Sequence, residues 1–436
     1  MFAAEPTHRF LWLWAIVGAV GVLSAVLPLL EEFAFVSFGI LLAVSILDYI
    51  LAGDPDTIDV RRGTMRRSNL HERTPVSLRV SAPRVRQVSI TDTLPEAASE
   101  RHLTFHFHIA PKTKTEQSHD VVFRERGRFE FGKLAVRTFG MFGLVRRRIR
   151  KTVPSSITIH PNIVEAGQTA RRFLSDQPRH GSQERPQRHD GREFESLREF
   201  QRGDDRRYIE WKVSARKMQW ITKKLQPEQK QDVLIMLDHG RQMAGTLRRH
   251  GESTRRLEYA VDASLHLCAT ALLKQDRVGF LSFADHISSY VMPQHGQRHL
   301  AACGEATVRC QALPVESDFR LALGFIQSKV QKRSWIAIFS DVLDKESAQT
   351  FVRASALMRK KHRVTFFAVG DPALISMTKQ QPTSSSYKAA MRLLSHRQQG
   401  LAAIASTGVQ VVDLSLAAST TVVMNTYARM KSSGQL

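Results

Sequence analysis

The chain has 436 residues, enough for two or three domains, and its 42% hydrophobic content with 23 Phe and 5 Trp excludes a disordered polymer. Lys and Arg total 63 against 41 Asp and Glu, a formal charge of +22 that points to nucleic acid, an anionic membrane or an acidic partner. This charge is spread along the chain and densest over residues 167–231; with no basic tail, recognition motif or basic–aromatic stacking pattern, nucleic acid is disfavoured. Three cysteines exclude a disulfide framework and fit a reducing compartment.

No charged residue occurs from Leu11 to Leu30, or from Phe33 to Leu47. About 20 helical residues cross a hydrocarbon core of about 30 Å, so each stretch is expected to span once. Glu31 and Glu32, with Pro28 nearby, leave room only for a tight turn, which gives a transmembrane helical hairpin over residues 1–51. Trp12, Trp14 and Tyr49 suit the membrane interface. Arg9 at one end and Arg61, Arg62, Arg66 and Arg67 at the other place both termini and the soluble domains on the cytoplasmic side. A cleaved signal peptide fits poorly, and two buried core helices are the bland alternative.

Residues 52–165 change to short alternations, such as Leu103-Thr-Phe105-His-Phe107-His-Ile109, broken by Pro83, Pro95, Pro111, Gly127 and Gly132. This predicts a β-sandwich-like domain. His102, His106 and His108 share one strand face, read as solvated because no Cys or carboxylate joins them at ligand spacing. Gly127 to Lys133 copies a P-loop spacing without its Ser/Thr or a following helix, and is rejected. The run Arg146 to Lys151 is either a lipid-facing patch or a charged, solvated sheet edge.

Residues 166–231 form a connecting segment. A polar stretch broken by Pro178 and Pro186 is followed by Phe194, Leu197 and Phe200 at helical spacing, with Gly203 as a helix stop. A second helix is expected from Asp204 or Asp205 through Tyr208, Trp211 and Ala215. Its interleaved charges make either an internal ion-pair network or a docking surface.

Residues 232–436 alternate strand and helix. The apolar run Asp232–Leu237 and stretches at 277–284, 334–340, 364–369 and 409–412 predict a doubly wound, mostly parallel α/β sheet. Cys303 and Cys310 are expected on one helix as core thiols, with no third ligand nearby for zinc. Asp238, Asp285, Asp341, Asp371 and Asp413 fall at strand ends, where ligands of open α/β sheets bind.

Phe194-Glu195-x-Leu197-Arg198-Glu199-Phe200, Gly203-Asp204, Ile209-x-Trp211-Lys212 and Ser214-Ala215-Arg216 together resemble the hallmark of a bacterial domain-of-unknown-function family, number fifty-eight of that series. Arg126 to Phe129, Gly143-Leu144 and Ile159-His160-Pro161 resemble its preceding β region. The resemblance implies a von Willebrand factor A-like domain, the bacterial inner membrane as location, and a MoxR-type AAA+ ATPase as partner in assembly or maturation of a protein complex. It also implies an interaction surface at Phe194, Glu195, Leu197, Arg198, Gly203, Asp204, Trp211, Ser214 and Arg216. A von Willebrand A domain holds a metal with D-x-S-x-S, a Thr and an Asp; here Asp238-His239-Gly240-Arg241-Gln242 lacks both serines, Ser317 stands for the Thr and Asp341 for the third carboxylate. Asp238, Gln242, Ser317 and Asp341 are thus a degenerate candidate for Mg²⁺, which wants six oxygen ligands.

The leading expectation is a non-enzymatic, membrane-anchored scaffold that engages the ATPase and an unknown protein client. The alternative is a Mg²⁺-dependent hydrolase or phosphoryl-transfer enzyme using Asp238 and Asp341. Neither a general base nor a G-x-S-x-G elbow supports it.

Overall fold

The computed structural model describes residues 3–64, 66–83, 86–111, 113–176, 192–201, 204, 206–227, 230–249, 252–342, 345–378, 385–414 and 419–433. It is a mixed α/β structure of two compact units, Met1–His160 and Pro161–Leu436.

In the first unit, α1 (His8–Ser24) and α2 (Glu31–Ala52) are apolar helices that expose most of their large side chains. Its strands are β1 (Ala3–Pro6), β2 (Asp59–Thr64), β3 (Arg67–Asn69), β4 (Arg73–Ser81), β5 (Arg86–Thr93), β6 (His102–Ile109), β7 (Lys114–Val122), β8 (Gly127–Glu130), β9 (Leu134–Phe139), β10 (Val145–Lys151) and β11 (Ser156–His160). One helical segment, Glu31–Thr57, is long and apolar enough to cross a membrane, with mean hydropathy 2.2. The first apolar stretch does not stay helical to Leu30. Its helix ends at Ser24, and Pro28–Leu30 forms a 3-10 turn, because proline cannot donate to a helix and clashes with the preceding turn.

The strands build three sheets, ordered β1-β10-β9-β5-β6, β2-β4-β7 and β3-β11-β8. Alternation on β6 is strict, with Leu103, Phe105, Phe107 and Ile109 buried and His102, His106 and His108 exposed. His108 lies 3.1 Å from the Gln87 amide on the neighbouring strand. Gly127 opens a strand paired with β11 rather than a phosphate loop. The basic run is not a sheet edge: β10 is paired on both sides, by β1 and β9.

Arg62, counted from sequence among the topology-setting cations, is buried here. It makes two hydrogen bonds to Asp92, at 2.9 and 2.7 Å, and donates to the Val153 and Gly132 carbonyls and the Ser155 hydroxyl. Its guanidinium also sits 4.7 Å from the Phe131 ring centre. Burial pushes the Asp92 carboxyl above its ordinary pKa, outweighing the pull of Arg62.

The second unit carries α3 (Ile163–Asp176), β12 (Arg192–Glu199), α4 (Trp211–Lys217), β13 (Ile221–Pro227), β14 (Asp232–Asp238), β15 (Thr246–Arg249), β16 (Glu252–Arg255), α5 (Arg256–Leu273), β17 (Arg277–Phe283) and β18 (Ile287–Gln294). Then come α6 (Gln297–Val308), α7 (Phe319–Lys329), β19 (Ser334–Ser340), α8 (Lys345–Ser355), α9 (Met358–Lys361), β20 (Arg363–Ala368), α10 (Pro372–Met377), α11 (Ser385–Ala405), β21 (Gln410–Asp413) and α12 (Ser419–Ser432). Its central sheet runs β18-β17-β14-β19-β20-β21, parallel except for the β17–β18 pair. Alternate residues of β14 enter two separate cores. Val233, Ile235 and Leu237 pack with α5 and α12, and Leu234 and Met236 with α7, α8 and α11. Burial on both faces is why the strands read as continuous apolar runs.

Helix α6 ends before Cys310, so Cys303 and Cys310 do not share it. The partner of Cys303 is Cys268 on α5, and His299 one turn away also hydrogen-bonds it. These contacts hold the Cys303 thiol below its ordinary pKa, against burial, whereas Cys268 is pushed up. Among the described residues, no group of three His, Cys, Asp or Glu is arranged to hold a metal.

His362 is buried, and neither ring nitrogen has a hydrogen-bond partner among the described residues. Burial, aided by Lys361, lowers its pKa to about 4. Because the folded value lies below the ordinary 6.5, the unfolded chain takes up the proton first as pH falls. Stability is therefore present above pH 6.5 and is lost as pH falls from there to about 4. We expect a loss of about 1–2 kcal/mol across that window, after allowance for solvent screening, and His362→Leu to flatten it. Thermal melts at pH 7 and pH 5 read this out; an equal Tm difference in the wild-type and the variant would contradict it.

Candidate functional site

The strand-end cluster lies at the C-terminal ends of β14 and β19. The chain leaves β14 for β17 on one side and later returns to β19 on the other, so this is the switch point of the sheet. Asp238 ends β14, and its buried carboxylate is filled by local donors. One oxygen accepts from the Gly240 amide at 2.8 Å and the Ser317 hydroxyl at 2.5 Å; the other accepts from the Ser340 hydroxyl. Gly240 is required here, since a Cβ would collide with the Ser317 hydroxyl. Burial still leaves Asp238 with a raised pKa, the three donors pulling it down.

Asp341, next to the end of β19, faces two guanidinium groups. Arg256 Nη1 lies 3.1 Å from one carboxylate oxygen and Arg397 Nε 2.9 Å from the other. Arg397 also grips Asp413 at the end of β21 through two bonds of 2.7 and 3.0 Å. Both arginines are almost fully buried, and the carboxylates of Asp413 and Asp341 hold the Arg397 guanidinium charged, raising its pKa against burial. Burial raises the Asp341 carboxyl against the pull of Arg397 and Arg256.

The residues named for Mg²⁺ do not fit that ion in this arrangement. Asp341 has both oxygens committed to guanidinium groups, and Asp238 has both committed to neutral donors. Gln242 contributes only a main-chain carbonyl, which accepts from Arg256 Nη1 at 3.0 Å. A divalent cation here would meet two buried positive charges rather than two free carboxylates. Arg241 turns away and pairs with Glu316 at 2.6 Å. Of the other strand-end aspartates, Asp285 pairs with His286 and Asp371 caps α10. Sequence reading missed Arg256 and Arg397, whose one signal is a charged residue inside an otherwise apolar helical face.

The signature segment is not a pair of helices. Arg192–Glu199 is a strand, paired antiparallel with β13 and bulged between Phe194 and Ser196. One extra residue in a bulge shifts the period-two pattern, so a spacing of three fits a bulged strand as well as a helix. Among the described residues, a 3-10 turn, Arg206–Tyr208, and the short α4 follow. Gly203 and the side chains of Phe194 and Glu195 lie outside the described residues.

The remaining signature residues divide by role. Arg198 pairs with Asp204 at 2.6 Å, and Asp204 accepts from the Gln201 amide at 2.9 Å, lowering its pKa. The buried Ser214 hydroxyl accepts from the Ile221 amide and donates to the Glu210 carbonyl, both at 2.9 Å, tying α4 to β13. Leu197, Trp211 and Arg216 are exposed. Trp211 is joined by two residues the sequence reading did not single out: Met218, in the left-handed conformation that ends α4, and Trp220. Trp211, Met218 and Trp220 are 65%, 90% and 57% exposed. Trp220 meets Trp211 and Phe200 edge-on at 6.4 and 5.7 Å, and Lys212, Arg216 and Lys217, on the same short helix as Trp211, are exposed.

The model of a family described as Protein of unknown function DUF58 matches residues 196–381, from this platform into the α/β sheet. No curated protein matches the chain. Among solved structures, an uncharacterized membrane spanning protein from Vibrio fischeri is similar at 14% identity, covering 46% of this chain and 98% of its own, with a TM-score of 0.18. The PKD domain of an M14-like peptidase from Thermoplasmatales archaeon SCGC AB-540-F20 is similar at 11% identity, covering 22% and 93%, with a TM-score of 0.14. Scores this low carry nothing about the fold or function of this chain.

Proposed function

The chain belongs to the DUF58 family, and from that membership we propose that it is a membrane-anchored, non-enzymatic interaction module. In this reading α1 and α2 cross the bilayer as a hairpin, with both units on the cytoplasmic side of a bacterial inner membrane. The C-terminal sheet is a doubly wound, von Willebrand A-like platform, and its partner is a MoxR-type AAA+ ATPase acting in assembly or maturation of a protein complex. The large apolar surface exposed by α1 and α2 supports the anchor.

The observation that carries the reading is the exposed Trp211–Met218–Trp220 platform, braced from beneath by Ser214 and the β12–β13 pairing. Tryptophan, methionine and arginine are enriched where proteins bind, and truncating a buried tryptophan anchor costs 2 kcal/mol or more. The exposed cations of α4, Lys212, Arg216 and Lys217, select an acidic face on the partner.

Affinity purification of the full chain from detergent, with the ATPase trapped in its nucleotide-bound state, tests this. Wild-type protein is expected to recover the ATPase, and Trp211→Ala or Trp220→Ala to weaken recovery about thirtyfold. Both residues are exposed, so the melting temperature should hold. Failure of the wild-type chain to recover an AAA+ partner, or unchanged recovery by both variants, would overturn the reading.

A further inference from the structure

The turn between β9 and β10 has apolar residues at its tip: Met141 is 81% and Phe142 46% exposed. This turn is fixed in place. The buried carboxylate of Asp48, near the C-terminus of α2, accepts from the Phe142 and Leu144 amides at 2.7 Å and the Val145 amide at 2.9 Å. A Cβ at Gly140 would collide with Asp48, and Gly143 has the positive φ (+66°) that favours glycine. From the other helix, the Thr7 hydroxyl that caps α1 contacts the Gly143 and Leu144 carbonyls at 2.7 and 2.9 Å. The start of α1 and the end of α2 are thus clamped to one rigid turn, which exposes Met141 and Phe142 beside them.

Beside the clamp, an open groove of about 770 Å³ runs between α1 and α2, and its walls are apolar apart from Ser37 and one end. Along α2 it extends from Phe33 to Val44, eleven residues or about 16 Å at 1.5 Å each. His8 and Arg9 stand at the mouth with Phe142. Both side chains are exposed, and among the described residues no carboxylate pairs with them. Nearby Glu5 is already taken by Arg146 and Arg148, at 2.8 and 3.2 Å.

We propose that this groove binds one anionic phospholipid, its acyl chain lying along Phe33 to Val44 and its phosphate held by Arg9 and His8. Met141 and Phe142 then sit at the level of the head groups, where an apolar turn beside cations meets both parts of the lipid. The groove's chemistry matches such a molecule at both ends: a long apolar trough, then unpaired positive charge. This inference rests on the membrane reading above and adds a specific ligand to it.

Full-length protein extracted in mild detergent and examined by native mass spectrometry tests it. One bound phospholipid per chain is expected, with phosphatidylglycerol retained over phosphatidylcholine after reconstitution in vesicles of each. Arg9→Gln should lower retention about fivefold, the worth of one cation near an anionic surface, while Arg9→Lys restores it. Ile40→Trp, which fills the trough, should also lower it, and excess inorganic phosphate should not displace the lipid. Equal retention of the two lipids, unchanged retention by Arg9→Gln, or displacement by inorganic phosphate would each overturn the proposal. Wild-type protein released from membranes by alkaline carbonate would overturn the membrane reading and this one together. A chain that stays in the membrane yet carries no lipid would overturn only this one.

Discussion

Asp341→Ala is expected to destabilise the C-terminal unit by about 3–5 kcal/mol, the cost of breaking a buried ion pair from one side. Among the described residues, the alanine leaves the buried Arg256 guanidinium with a single carbonyl partner, Gln242, and it takes from Arg397 its deepest contact. Neither guanidinium escapes by losing its proton, and desolvated charge without a partner is the most expensive item in a protein interior. Amide exchange measured by mass spectrometry over β14 and β19 in the full chain reports this unit directly. Exchange there should quicken roughly a hundred- to several-thousandfold, at tenfold per 1.4 kcal/mol. Replacing all three charges together, Asp341→Leu with Arg256→Met and Arg397→Met, should recover most of the loss, because the burial cost disappears with the pairs. A change below tenfold for Asp341→Ala would show that the network does not act as a closed, buried unit.

Arg62→Ala should cost the N-terminal unit a similar ~3–5 kcal/mol. That one side chain joins Asp92 on β5 to the carbonyls of Gly132 and Val153 and the Ser155 hydroxyl, so its loss strands a buried carboxylate and several acceptors at once. Lysine cannot substitute, as a single ammonium cannot supply the planar fork that meets Asp92 through two bonds while reaching three other acceptors. Exchange over β5 and β6 in the full chain should rise by the same factor for Arg62→Ala and by nearly as much for Arg62→Lys. Arg61→Ala makes the comparison, since the neighbouring arginine is exposed and pairs with exposed Asp59; it should move exchange little. Similar effects at the two arginines would refute the assignment.

The contrast between Arg61 and Arg62 shows where sequence reading stops. Neighbours in a cationic stretch look alike in a charge count, yet one is solvated and the other is the central tie of a β module. Lys and Arg carry no local mark of burial, because partners such as Asp92 come from distant strands. The same holds for Arg256 and Arg397, placed against Asp341 only by the crossing of a six-stranded sheet. At the signature segment the misreading was local: a bulge let a strand imitate helical spacing, and the exposed Trp220 and Met218 went unremarked because exposure is a tertiary property.

What the sequence determined by itself were the features written in short-range pattern. Long uncharged runs mark the apolar N-terminal helices, strict alternation marks β6, and buried β14, β17, β19 and β20, with half-buried β21 at the sheet edge, announce themselves as apolar runs near their observed positions. The motif at residues 194–216 is likewise local, and it was enough to point to the family. Only the tertiary structure decided which charges meet. It put two guanidinium groups where the sequence suggested a cation, buried Arg62, closed Asp48 over the β9–β10 turn and left a tryptophan platform in the open. The physical reason is range: periodicity and propensity act over a few residues, whereas desolvation and ion pairing are set by partners that the folded chain brings from tens to more than a hundred positions away.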